Sequence, residues 1–329
     1  MLETRLATSD QDYAELARIV VTVLPDDPTS VAEMRWADAT YPGGRRFLAL
    51  IDGIAVGSGD VGRMYMFPPE FEGAWASICV LPEHRRLGVG SALLARVSDV
   101  AREAGKTMLV GRTSSAHLET IDFLEHRGFR EHDRMKLVRL DLRGSAPAAV
   151  IPPDGVRITT LAERPDLVSA VYDVAREALP DIPGDGPQFP STLDEFRARD
   201  VDRPLIPPDA FIVGIDAATR RVIGYANLML VPGKPNVAWH GMTAVARDWR
   251  GRGVATALKR ATIAWAVARG MDELRTANDT VNAPMRAVNR RLGYQPLPDD
   301  IDYRGPLWPE RPQLQAAPAR SVVSGSGNS

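Results

Sequence analysis

The stretch that decides the fold of this chain is Arg85-Arg86-Leu87-Gly88-Val89-Gly90, which recurs as Arg250-Gly251-Arg252-Gly253-Val254-Ala255. Each copy follows a run of small and β-branched residues and precedes an amphipathic stretch, residues 91–105 and 256–270. This pattern predicts a strand, a glycine-rich turn and a helix in both places. The first amide groups of a helix are unpaired and lie at the positive end of its dipole, so each turn is predicted to bind an anion.

The repeat continues beyond the turn. Each helix is followed by a second predicted strand and a second predicted helix, and these second helices end at Gly128 and Gly293. Gly128 lies 38 positions after Gly90, and Gly293 lies 38 positions after Ala255. The glycines suit left-handed helix caps, and the aromatic residue after each is predicted to pack back on the core. Equal spacing indicates that one fold has been duplicated.

Both halves resemble the GNAT superfamily of acyl-CoA-dependent N-acyltransferases, whose phosphate loop reads Arg/Gln-x-x-Gly-x-Gly/Ala. The resemblance covers nearly the whole chain as a tandem pair. It implies an α+β fold of two tandem GNAT-like domains, each a mixed, largely antiparallel twisted sheet flanked by helices. It also implies acetyl-CoA as co-substrate. A Rossmann fold fits less well, because no Gly-x-Gly-x-x-Gly opens a long βαβ unit.

Carried over to this chain, the resemblance assigns pantetheine to main-chain groups of the strand and the pyrophosphate to the loop. Glycines allow close approach of the backbone, and arginines add charge-assisted hydrogen bonds. An asparagine at the start of the second helix is implied to contact the cofactor as well. The residues concerned are Val80, Arg85, Arg86, Leu87, Gly88, Val89, Gly90 and Ser91 in the first half, and Val245, Arg250, Gly251, Arg252, Gly253, Val254, Ala255, Thr256 and Asn282 in the second.

The chain length of 329 residues suits two domains, predicted at residues 1–143 and 156–312. Residues 144–155 are rich in proline, glycine and small residues, as expected of a linker. Residues 313–329 lose hydrophobic periodicity and are expected to be a disordered tail. We expect the active site in the second half and a mainly structural role for the first.

Composition narrows the function classes. A net charge of −2 argues against a general nucleic-acid binder. There is no run of 18 apolar residues and no apolar signal core at the N-terminus, so we expect a cytoplasmic protein, monomeric or homodimeric, without a membrane partner. Cys79 is the single cysteine and is expected to be a buried small hydrophobe. The five histidines show no ligand spacing, so no metal site is expected.

The usual catalytic pair of the family is missing. The family often places a glutamate base four residues before the pantetheine-binding valine and a tyrosine acid four residues before the capping glycine. These positions hold Gly241 and Asn289 in the second half, and Ala76 and Leu124 in the first. Activity is still expected, because positioning supplies much of a transfer rate and water can carry protons.

Two residues of the second half are candidates for catalysis. His240 is a candidate base near neutral pH, and the alternative is a strand histidine hydrogen-bonded to a neighbour. Asn289 lies seven residues after Asn282 and hence on the same helical face, close to Asn278 in sequence. The alternative for Asn289 is a helix-surface amide.

A long insertion in the second half, residues 179–200, is expected to border the acceptor site. Its acidic residues either attract a cationic amine or form a solvated loop. The sequence therefore predicts direct acetyl transfer from acetyl-CoA to the primary amine of a small-molecule acceptor. The alternatives are a mycothiol-synthase-like acyltransferase, acting on a cysteinyl-sugar amine, and a non-catalytic CoA-binding sensor or scaffold.

Overall fold

A computed structural model describes residues 1–65, 67–146, 149–181 and 192–309. In these ranges thirteen strands form one mixed sheet, and eight α-helices pack against its faces. No helix within them is both long and apolar enough to cross a bilayer. The predicted tail and much of the acidic insertion lie outside the described residues.

The predicted α+β architecture is confirmed, and both halves have the same order of strands and α-helices apart from the short β12. The first half contains β1 (Leu2–Leu6), α1 (Asp10–Val23), α2 (Val31–Thr40), β2 (Arg45–Ile51), β3 (Ile54–Arg63), β4 (Gly73–Val80), α3 (Val89–Glu103), β5 (Met108–Ser114), α4 (Leu118–Glu125) and β6 (Arg130–Asp141). The second half contains β7 (Val156–Thr160), α5 (Val168–Ala178), α6 (Leu193–Phe196), β8 (Phe211–Asp216), β9 (Val222–Val231), β10 (Lys234–Val245), α7 (Val254–Ala268), β11 (Glu273–Asp279), α8 (Ala283–Arg291), β12 (Gln295–Pro296) and β13 (Asp300–Pro306). A π-helical turn, Arg197–Val201, continues α6.

The two halves exchange strands at the centre of the sheet. The strand order is β1-β2-β3-β4-β5-β13-β6-β11-β10-β9-β8-β7, with β12 also paired to β6. The last strand of the second half thus lies between β5 and β6, while β6 pairs with β11 of the second half. Ser114 pairs with Asp300, and Asp279 pairs with Met135. Asp279 lies 165 residues after Ser114, and Asp300 lies 165 residues after Met135, so the two pairs occupy equivalent positions of the repeat. The duplicated halves are therefore joined by a reciprocal exchange, which their sequences did not reveal.

Ion pairs reinforce this junction. Arg112 of β5 donates two hydrogen bonds to Asp302 of β13, at 2.6 Å and 2.9 Å. Asp299 accepts from Lys136 at 2.6 Å and from Arg134 at 3.3 Å. Two parallel guanidinium–carboxylate bonds fix geometry better than a single contact does. The exchanged strands are therefore held by side chains as well as by the backbone ladder.

The cores follow the predicted periodicity. The apolar face of α3 (Leu93, Leu94, Val97 and Ala101) is buried, and Leu258 and Ala261 of α7 are buried in the same way. Cys79 is buried, as expected, and burial raises the pKa of its thiol to about 12. Phe129 and Tyr294, the aromatic residues after the capping glycines, are both buried as predicted.

The core of the second half contains a lysine. Lys259 of α7 is only 1% exposed, and its ammonium lies 5.4 Å from the centre of the Tyr294 ring. The corresponding residue of α3 is Leu94. Burial disfavours the charged form and lowers the pKa of Lys259 to about 7. The second half has therefore replaced an apolar core residue by an ionisable one.

We expect Gly305→Ala in β13 to destabilise the protein, because a Cβ there would overlap the buried ring of Phe129. Overpacking of this kind costs about 1–3 kcal/mol of unfolding free energy, which urea denaturation measures. The control is Gly62→Ala in β3, where the nearest atom to a new Cβ is 3.6 Å away. Equal effects of the two substitutions would contradict the packing of β13 on the first half.

We expect Lys259→Met to stabilise the protein in a pH-dependent way. The unfolded chain keeps the lysine protonated to about pH 10, whereas the folded chain loses the proton near pH 7. The cost of burial is thus fully present below pH 7 and fades as the pH rises towards 10. The gain in unfolding free energy should be about 4 kcal/mol at pH 7 and about 1 kcal/mol at pH 10. Denaturation curves of both proteins at each pH measure this gain. A gain independent of pH would show that the cost of burying Lys259 does not come from its charge.

Candidate functional site

A cleft opens between β10 and β11. The two strands run parallel for three residue pairs only, Val237–Trp239 with Glu273–Arg275. Beyond this point β10 stays paired with β9 to Val245, while β11 stays paired with β6 to Asp279. The backbone of residues 243–245 therefore has a strand partner on one side and faces the cleft on the other. The first half repeats the arrangement, since β4 and β5 pair only over Gly73–Trp75.

The predicted loops lie at the ends of these clefts. Gly88 and Gly253 are the N-caps of α3 and α7, with φ angles of +85° and +84°, a conformation that favours glycine. The first hydrogen bond within α7 is donated by the amide of Ala257 to the carbonyl of Gly253. In the described part of the chain no side chain caps either helix. The first amides of α7, at residues 254–256, are thus left for an external acceptor.

The first arginine of each loop braces the loop against its strand. Arg250 Nε donates to the carbonyl of Val245 at 3.0 Å, and Arg85 Nε donates to the carbonyl of Val80 at 3.3 Å. Arg250 also pairs with Asp181 at 2.7 Å. These guanidinium groups are therefore already engaged within the loops where they were predicted to meet phosphate.

Asp181 is one of the acidic residues of the insertion. Its carboxylate accepts hydrogen bonds from both Arg247 and Arg250, which hold its pKa well below the usual range. Glu195, farther along the insertion, forms a capping box with Thr192 at the start of α6. Both carboxylates are thus occupied within the protein, and neither is free to attract a cationic amine. Asp185 lies outside the described residues.

The structure brings two of the three predicted asparagines together. Asn289 is 2% exposed, and its amide nitrogen donates to Oδ1 of Asn278 at 2.5 Å on the neighbouring β11. The Oδ1 of Asn289 is buried without a hydrogen-bond partner among the described residues. Asn282 caps α8, because its Oδ1 accepts from the amide of Met285 at 3.3 Å. Asn289 is thus a buried group with an unused acceptor, not an amide on the helix surface.

His240 lies in a buried polar group beneath α7. Its Nε2 is hydrogen-bonded to the hydroxyl of Tyr294, and its Nδ1 lies 3.5 Å from Oγ1 of Thr262. Burial, together with the nearby Lys259, lowers the pKa of His240 well below its usual value. The imidazole is therefore neutral at pH 7 and a weak base.

A bulge in β10 was not predicted. The pairing with β9 shifts by one residue between His240–Leu228 and Thr243–Ala226, which places the bulge at residues 241–242. The corresponding strands of the first half, β3 and β4, keep one register throughout their described pairing. Bulges redirect backbone groups and are common beside active sites. The only signal in the sequence was Gly241 itself, inside an otherwise regular strand.

A second residue missed by the sequence lies beside this bulge. Asn227 of β9 is 3% exposed, and its Oδ1 is buried without a partner in the described part of the chain. A Cβ on Gly241 would overlap this oxygen. The amide of Asn227 thus occupies the place where a side chain at position 241 would begin.

The two clefts differ at the loop. In the first half the ring of Phe123 packs against Gly90 and lies near Val80, with the Arg127 guanidinium 3.7 Å from the ring centre. Arg127 also donates to the hydroxyl of Ser91 at 2.8 Å. Val288 stands at the position of Phe123 in the second half. An aromatic residue therefore fills space beside the first loop where the second half has a smaller side chain.

Comparisons with known proteins place the chain in a family. The family model described as "Acetyltransferase (GNAT) family" matches residues 12–129 and 169–294. A tandem GNAT protein from the clavulanic acid biosynthesis pathway shares the fold, with a TM-score of 0.75 and 20% identity over 94% of this chain and all of that one. A GCN5-related N-acetyltransferase from Sphaerobacter thermophilus does so with a TM-score of 0.70 and 20% identity, over 94% of this chain and 97% of that one.

One curated relative is more similar in sequence. The mycothiol acetyltransferase of Saccharomonospora viridis is 27% identical over 236 residues, which are 69% of this chain and 73% of that protein. The family match covers both halves and includes both strand, loop and helix units described above. The protein belongs to the GNAT family of acetyltransferases and is an N-acetyltransferase of that type.

Proposed function

We propose that this protein transfers the acetyl group of acetyl-CoA directly to the primary amine of a small molecule, in the cleft of the second half. The observation that carries the proposal is the separation of β10 from β11 above the uncapped N-terminus of α7. GNAT proteins generally bind acetyl-CoA. An open strand edge that leads to unpaired helix amides suits a ligand with an amide-containing arm and a diphosphate.

The residues of the second half fit this co-substrate. Amides of Gly251 to Thr256 would hold the diphosphate, and the main chain at Val245 would pair with the pantetheine arm. The unpartnered Oδ1 of Asn289 supports the same placement, because a buried acceptor without a donor is costly unless a ligand supplies one. Asn282 retains its amide nitrogen for the co-substrate, since only its oxygen caps α8.

Acetyl-CoA supplies an activated carbonyl, and the protein has to orient the amine towards it. The amine nitrogen forms a bond to the carbonyl carbon, the carbon–sulfur bond breaks, and the proton lost by the amine ends on the sulfur of CoA. A backbone amide at the bulge of β10 would stabilise the oxyanion without any particular side chain. We assign His240 a positioning role, through its hydrogen bond to Tyr294, because its low pKa makes it a weak base.

Differences between the halves support the second as the active one. The first half has no bulge between β3 and β4 over their described residues, and Phe123 fills the space beside its loop. A structural role for the first half is consistent with both features. The Gly88→Val variant below tests whether its loop, Arg85 to Ser91, binds CoA as well.

A mycothiol-synthase-like activity is the second candidate. The similarity to a mycothiol acetyltransferase, at 27% identity, favours it. Asn289 argues against it, because that family keeps a tyrosine before its second capping glycine. The family match favours an enzyme over a non-catalytic CoA sensor.

The decisive experiment measures release of free CoA from acetyl-CoA by liquid chromatography, because a thiol reagent would also react with a cysteinyl acceptor. The panel of acceptors consists of ethylamine, glucosamine and a cysteinyl derivative of glucosamine. We expect at least one amine to accelerate CoA release and to appear as its N-acetyl product in mass spectrometry. Exclusive use of the cysteinyl compound would favour the second candidate, and no acceleration by any amine would contradict the proposal.

We expect Gly253→Val to weaken acetyl-CoA binding by roughly 10- to 100-fold, measured by isothermal titration calorimetry. A β-branched residue is strongly disfavoured at a φ of +84°, so the loop must move and its amides lose their alignment. Gly88→Val is the matched variant, since Gly88 has a φ of +85° at the same place in the first half. Loss of binding in Gly88→Val with unchanged binding in Gly253→Val would reverse the assignment of the halves.

A further inference from the structure

Lack of space explains why position 241 holds a glycine. Gly241 does not have a left-handed φ, so its backbone conformation is open to any residue. A side chain does not fit at position 241, because its Cβ would overlap Oδ1 of Asn227 and would lie 3.1 Å from Cγ of that residue. The neighbouring strand therefore puts a polar group where the family's glutamate would begin.

Asn227 is unusual for its location. It lies on the face of β9 that packs against α5 and α6, next to Tyr225 and Met229, and it is 3% exposed. Its Oδ1 has no hydrogen-bond donor among the described residues. A buried amide oxygen without a partner destabilises the protein, so a bound molecule that donates to it gains binding free energy.

The amide of Asn227 forms no hydrogen bond to a carboxylate within the described ranges. The titratable and charged groups near this face, on the elements packed against it, are Asp26, Asp27, Glu33, Tyr41, Tyr172, Arg199, Asp200, Arg203, Tyr225, Glu273 and Arg275. Arg199 holds Asp200 through two hydrogen bonds of 2.7 Å and 2.9 Å, Arg203 pairs with Glu33, and Arg275 pairs with Asp26 and Glu273. Burial raises the pKa of Asp27, and its charged neighbours are Arg112, Arg203 and Arg275. Burial raises the pKa of the Tyr225 hydroxyl, so it stays protonated. His240 and Lys259 lie on the opposite face, beneath α7.

We propose that Asn227 positions the acceptor by accepting a hydrogen bond from its amine, and that the site takes weakly basic amines, which are already neutral near pH 7. This rests on the proposed function. An amide oxygen accepts a hydrogen bond but does not take up a proton near neutral pH. The ammonium proton of the acceptor is therefore lost to water before attack, and the second proton leaves through water to the sulfur of CoA. Amines of high basicity, such as ethylamine, are poor acceptors because little of the neutral form exists at pH 7.

Urea denaturation tests whether Asn227 occupies the space beside Gly241, and this test does not depend on turnover. Gly241→Ala should shift the midpoint of urea denaturation to a lower urea concentration, because the new methyl group meets the Asn227 amide. Adding Asn227→Gly to Gly241→Ala should remove most of the clash between them, so that the two changes are strongly non-additive. Additive effects in urea denaturation would overturn the assignment of this space to Asn227.

Steady-state kinetics test whether Asn227 binds the acceptor amine. Asn227→Ala should raise KM for the amine at least about tenfold and leave KM for acetyl-CoA unchanged. The matched control is Asn236→Ala, which removes a surface amide that hydrogen-bonds Asp272 at 3.1 Å, and it should change neither constant. An unchanged KM for the amine in Asn227→Ala would overturn the proposal.

The pH dependence of kcat/KM tests whether the enzyme supplies a base. In the wild type, kcat/KM for each accepted amine should level off at that amine's own pKa, and glucosamine should therefore level off at lower pH than ethylamine. In the double variant Asn227→Gly/Gly241→Glu, a carboxylate replaces the amide and the rise should shift to lower pH. A wild-type rise at one pH for both amines would reveal an enzyme base and overturn the proposal. If no amine accelerates CoA release, both the proposed function and the role of Asn227 are wrong. If the wild type acetylates an amine but the Asn227 variants keep its KM and pH profile, only the role of Asn227 is wrong.

Discussion

The structure depends on the pairing of β6 with β11, a ladder between the two halves that runs without interruption from Glu273–Asp141 to Asp279–Met135. Since β11 is held on this side along its whole length, it does not follow β10 when β10 turns towards α7. The cleft of the second half is therefore a consequence of strand exchange between the halves. In the first half β13 holds β5 in the same way, and the same cleft results.

The duplicated halves keep one fold but have diverged in a few side chains. Lys259, His240 and Tyr294 form a buried polar group in the second half, where α3 of the first half has Leu94. Such a group is costly to bury and is consistent with selection for something besides stability. The first half instead packs Phe123 against its loop. The first half also supplies β6, which pairs with β11, and it thus helps to form the cleft of the second half.

The predicted elements were recovered because their signals are local. The spacing of apolar residues predicts the helix after each loop, and the glycine at position 253 suits the left-handed cap that the turn requires. The bulge at Gly241 and the buried oxygen of Asn227 were missed, because each depends on how β9 lies beside β10. The ion pairs of Asp181 could not be predicted either, since its partners Arg247 and Arg250 are distant in sequence.

The sequence by itself determined the family, the two strand, loop and helix units, and the residues of each glycine-rich turn. These features follow from backbone conformation and short-range periodicity, which neighbouring residues encode. Only the tertiary structure decided which half supplies each strand of the central sheet and which polar side chains meet at the cleft. Strand pairing joins segments as much as 198 residues apart, as Met108 and Pro306 are, and no local pattern specifies such a partner.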